Sequence, residues 1–69
     1  MINGNLLKMK IKENGFTISG LAKTIGVDRT TVYKWINNNT TMNAKTINKT
    51  KSALGLSTAE AMEIFFPSY

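Results

Sequence analysis

The chain has 69 residues, a formal net charge of +5, and neither cysteine nor histidine. Those absences exclude disulfides, thiol nucleophiles, zinc-finger ligation and imidazole acid-base chemistry, so helix packing alone must hold a domain near the lower size limit for a single core. All nine lysines and arginines precede Gly55, whereas Glu60 and Glu63 fall in the tail, and a body this basic favours a polyanionic partner through release of counterions from phosphates.

No apolar run approaches the roughly 20 residues of a membrane span, and the opening residues carry no hydrophobic region followed by a cleavage site. The expectation is one cytoplasmic domain over residues 1–69 with no membrane partner. The first helix is predicted to begin near Asn3 to Asn5 and to stop at Asn14-Gly15, where glycine supplies the usual end. Leu7 and Ile11 mark its buried side, and Lys8 and Lys12 share a solvated one. Leu6 and Met9 fall off the stripe and read as exposed. Phe16 should plug the gap before the second helix, and Thr17 should cap it.

In that helix Leu21, Ala22 and Ile25 form one apolar side. Gly26-Val27-Asp28 then breaks the pattern: glycine can take the left-handed conformation that ends a helix, and Asp28 can accept from the free amides of the next. Val32, Trp35 and Ile36 repeat the three-and-four spacing. At about 100° per residue, Arg29, Thr30, Tyr33, Lys34 and Asn37 fall on the arc away from Val32 and Trp35. That arc carries only hydrogen-bonding groups, of the kinds that reach base edges and phosphate oxygens in a major groove.

Asn37-Asn38-Asn39-Thr40-Thr41 reads as a polar loop. Asn43 should cap a fourth helix that runs to Leu54 and stops at Gly55. Ile47 and Leu54 share its face, but Thr50 and Lys51 stand between them, so this helix is expected to anchor weakly and to be the least protected of the middle helices. Ser57-Thr58-Ala59-Glu60 has capping-box spacing, which predicts a fifth helix over about residues 58–66, ended by Pro67. Its apolar residues Ala59, Ala61, Met62, Ile64, Phe65 and Phe66 cover an arc of roughly 220°, about twice the stripe a one-sided helix needs. Ile64, Phe65 and Phe66 are therefore candidates for a dimer interface. The four acids, Glu13, Asp28, Glu60 and Glu63, make no catalytic constellation, so neither an enzyme, nor a cofactor, nor a metal site is expected.

Ala22, Gly26, Val27, Val32 and Trp35 sit at the spacing of the helix-turn-helix in phage Cro and repressor proteins. The wider stretches NGFTISGLAKTIGVDRTTVYKWI and ALGLS also look like that family, so the resemblance covers roughly residues 6 to 66, with the motif at about 17–37. It implies a small all-α, five-helix DNA-binding domain whose second motif helix enters the major groove, commonly as a dimer on a palindromic operator. On that footing Arg29 would read guanine through O6 and N7, with Thr30, Tyr33 and Lys34 as further base-reading residues. Thr17, Ser19, Asn37, Asn38, Asn39, Thr40 and Lys45 would reach phosphates. Relatives often carry glutamine where this chain has Ile18, and an aliphatic side chain cannot make the phosphate contact assigned there. The resemblance suggests a phage-derived repressor in the bacterial cytoplasm, with an operator duplex as partner and a weak homodimer. The competing reading is a small module that keeps the fold but binds another regulator protein.

Overall fold

The computed structural model describes residues 2–37 and 42–67. Among them five α-helices follow in order: α1 (Gly4–Glu13), α2 (Ile18–Ile25), α3 (Arg29–Ile36), α4 (Ala44–Leu54) and α5 (Thr58–Phe65). The architecture is the small all-α one that the residue spacing implies.

Four of the five starts are secured by a side-chain acceptor placed on a free amide of the first turn. Asn3 Oδ1 accepts from the Leu6 amide at 3.2 Å, Thr17 Oγ1 from Gly20 at 2.9 Å and Asn43 Oδ1 from Thr46 at 2.8 Å. At α5 the bond is reciprocal: Ser57 Oγ accepts from the Glu60 amide at 3.1 Å while Glu60 Oε1 accepts from the Ser57 amide at 2.9 Å. Asp28 departs from expectation. Its side chain makes no capping bond, and the first turn of α3 closes on its backbone carbonyl instead, which accepts from the Thr31 amide at 3.0 Å.

The bend between α2 and α3 rests on Gly26, whose φ of 78° lies in the left-handed region that costs an L residue roughly 1–2 kcal/mol. With that turn taken, the Gly26 and Val27 amides both return to the Ala22 carbonyl, and the chain is redirected within three residues into α3.

Packing follows from the apolar stripes. Leu21, Ala22 and Ile25 of α2 face α3 and α4, while Leu7 and Ile11 of α1 face α3 and α5; all five are buried. Val32 and Trp35 from α3, Leu54, Leu56, and Ala61, Ile64 and Phe65 from α5 complete one core. Burying each of the aliphatic side chains larger than alanine contributes about 1.5–3 kcal/mol. Phe16 lies half-buried against that core, as a plug between α1 and α2 should. Leu6 also packs partly on it rather than standing exposed, whereas Met9 remains exposed.

Thr50 is the unexpected member. It is fully buried, and its hydroxyl donates to the Thr46 carbonyl at 2.9 Å, one turn back. A satisfied hydroxyl carries little burial penalty, so α4 is anchored by Leu54 and by the Thr50 methyl where the sequence suggested a gap.

Two contacts tie α1 to its neighbours. The Asn3 amide donates to the Ile64 carbonyl at 2.7 Å beside the buried Ile2, and Lys10 Nζ lies 2.8 Å from Glu60 Oε2 on α5. Gly4 is buried against the last turn of α3, where any Cβ would fall on the Ile36 carbonyl oxygen. A glycine is therefore what lets the first turn of α1 lie against the end of α3.

Candidate nucleic-acid interface

The period of 3.6 that buries Val32 and Trp35 turns the rest of α3 outward. Arg29, Thr30, Tyr33 and Lys34 are all exposed, with Tyr33 46% accessible, and Asn37 at the helix end is exposed as well. The ridge is thus a row of polar groups on a helix whose other side is locked into the core. A guanidinium, a hydroxyl, a phenol and an ammonium are held here without competing bonds among the described residues. These groups are of the kinds that hydrogen-bond base edges and phosphate oxygens in a major groove.

The flanks are set by helix starts. Thr17 and Ser19, at the beginning of α2, are exposed. Capping and phosphate binding do not exclude each other at Thr17: its oxygen accepts from the Gly20 amide, which leaves the hydroxyl proton to donate outward. Lys45 is exposed in the first turn of α4. Asn38, Asn39 and Thr40 lie outside the described residues.

The charge is divided between two parts of the chain. From Thr17 to Leu56 there are six cations, Lys23, Arg29, Lys34, Lys45, Lys49 and Lys51, against the single acid Asp28. The other three acids, Glu13, Glu60 and Glu63, sit on α1 and α5. Glu60 is drawn to Lys10, whose ammonium holds its carboxyl, with help from the Ser57 amide, down to about 2. Lys10 is correspondingly pushed above its ordinary value, chiefly by the same bond. The helix-turn-helix and the helix after it are left as the basic part of the molecule.

The candidate dimer residues separate. Ile64 and Phe65 are 0% and 4% exposed and belong to the chain's own core, because they stand three and four residues after the buried Ala61. Of the three only Phe66 is outward, at 62%, joined by Met62 at 53%. These two line an open groove of about 410 Å³ together with Asn3, Leu6, Glu63 and Pro67. The core spacing of Ala61, Ile64 and Phe65 was the signal in the sequence that could have made this division. No helix among the described residues is long and apolar enough to cross a membrane.

A bent helix pair with its second member presenting a polar ridge defines the helix-turn-helix class of nucleic-acid-binding domains. A family model for the Cro/C1-type HTH DNA-binding domain matches residues 6–67, and the chain belongs to that family. Among curated proteins, none matches the chain.

Proposed function

We propose that this protein is a sequence-specific transcriptional regulator that lays α3 in the major groove of duplex DNA and represses by occupying a palindromic operator. The observation that carries this reading is the exposed row Arg29, Thr30, Tyr33 and Lys34 on a helix braced from behind by Val32 and Trp35. Arg29 reads guanine through O6 and N7, Thr30 and Tyr33 offer a hydroxyl and a flat apolar face to a thymine methyl, and Lys34 serves base or phosphate. Thr17, Ser19, Asn37, Asn38, Asn39, Thr40 and Lys45 hold the sugar-phosphate backbone and fix the register. The site of action is the cytoplasm of a bacterial cell, with a phage as the source.

The operator's two halves are met by two copies about 34 Å apart. Met62 and Phe66, the exposed large apolar side chains at the α5 end of the chain, are available to join them, a small area against the roughly 800 Å² per partner of a stable interface, so the pair forms weakly and is completed on DNA. Selection of bound sites from random duplexes tests the whole reading. Enrichment of a two-fold symmetric site is the expected result; recovery of no sequence preference would refute it.

A second reading, a module that modulates another repressor, is favoured by the groove along Met62 and Phe66. It predicts a partner retained after nuclease treatment and lost in Phe66→Asp, with no selected duplex.

A further inference from the structure

We infer that Asp28 is a base-discriminating residue, its carboxylate accepting a hydrogen bond from an exocyclic amino group, cytosine N4 or adenine N6, on the major-groove edge beside the base read by Arg29. The inference rests on the DNA-reading role proposed above for α3. Asp28 has the extended backbone of a residue that precedes a helix, with φ −74° and ψ 147°, yet its side chain gives no bond to the amides behind it. Asn3, Thr17, Asn43 and Ser57, at the corresponding places of the other helices, all use their side-chain oxygens on those amides. The carboxylate is also exposed and forms no ion pair among the described residues, although Arg29 is its neighbour in the chain.

Hydrogen-bonded capping therefore does not use this group; its charge still suits the positive end of the α3 dipole, but on DNA the same charge opposes the phosphates. Asp28 is the one acid between Thr17 and Leu56, a stretch with six cations that would otherwise meet phosphates unopposed. A carboxylate among phosphates weakens binding to every sequence except those that place a donor on it. In the major groove that donor is the amino group of cytosine or adenine; guanine and thymine present acceptors at the same edge and are repelled. It is the N-terminal end of a recognition helix that reaches base edges, and Asp28 immediately precedes Arg29 at that end. One residue attracts guanine, and the residue before it selects against guanine at the adjoining pair.

The test is site selection from random duplexes with the wild-type protein, Asp28→Ala, Asp28→Asn and Arg29→Ala, followed by titration on the wild-type site and on random duplex. Because no side-chain bond is lost, Asp28→Ala should keep its far-ultraviolet helicity, and Asp28→Asn provides a near-isosteric second variant. Asp28→Ala is expected to erase selection for cytosine or adenine at one position per half-site and to weaken the selected site about fivefold or more, with binding to random duplex unchanged or tighter. Asp28→Asn is expected to move that position towards adenine, whose N6 and N7 an amide can bond together. Unchanged selection at every position in both variants, or an equal loss on selected and random duplexes, would overturn the role of Asp28. With the Asp28 variants unchanged, an altered site in Arg29→Ala would leave the reading of α3 standing while Asp28 falls. Absence of any site selected by the wild type would remove both.

Discussion

Helices α3 and α5 have the same eight-residue length and each buries one side in the core, yet they secure themselves in opposite ways. At α5 the polar groups are turned inward on the fold: Ser57 and Glu60 satisfy each other's amides, and Lys10 reaches across from α1 to the same carboxylate. At α3 the side chains do none of this. Asp28 leaves the amides alone, and Arg29, Thr30, Tyr33 and Lys34 have no side-chain bond among the described residues. Polar side chains that bond their own helix stabilise it; those left unbonded on a rigid helix are available to a ligand. The contrast separates the part of the molecule that maintains the structure from the part that we propose reads DNA.

The largest effect expected from disturbing this arrangement is at the brace behind the ridge. Trp35→Ala should cost about 3–5 kcal/mol and abolish binding to all DNA together with the cooperative thermal transition, since α3 loses its main core contact. Retention of a sharp transition would show that α3 is held by something else. Next is the capping contrast: Ser57→Ala should destabilise by about 1 kcal/mol in a denaturant titration, whereas Asp28→Ala should change stability by less, having no capping bond to lose. Equal losses in the two would erase the distinction between the helices.

The smallest effect is the pH dependence of the Lys10–Glu60 link. The Glu60 carboxyl is lowered from 4.5 to about 2, so its contribution is present above pH 4.5 and disappears as pH falls through about 2. Lys10 is raised above 10.5, so the same pair contributes below that pH and is lost as pH climbs past it. Glu60→Gln keeps a capping acceptor but not the charge. Its melting temperature should lie below the wild type's above pH 4.5 and converge with it near pH 2. A gap constant across that range would show that the pair contributes nothing through charge, and added salt should narrow the gap because both groups are near solvent.

Much of this was readable in the sequence because it depends on local chemistry. Thr17, Asn43 and the Ser57–Glu60 pair announce helix starts by residue type, Gly26 and Gly55 announce ends by conformational freedom, and the three-and-four spacing in α2 and α3 sorts core from ridge. What escaped depends on through-space partners. Thr50 looks like a defect in an apolar stripe until its hydroxyl is seen on the Thr46 carbonyl. The bond from Lys10 to Glu60 exists only once α5 is folded against α1. Ile64 and Phe65 looked available for a partner because a helical projection shows a wide apolar arc without showing how much of it the rest of the chain covers. Asp28 misled in the reverse direction: its type and position fit a cap, and only the geometry shows the cap unused.

The most direct test of the central claim, that the free side of α3 reads bases, is a titration of Arg29→Ala on the selected operator and on random duplex at one fixed salt concentration, with a melting curve alongside. The account predicts a loss of about 1–3 kcal/mol on the operator, little change on random duplex and an unaltered melting temperature. Equal losses on both duplexes would contradict it, because Arg29 would then be holding phosphate and the ridge would carry no sequence information.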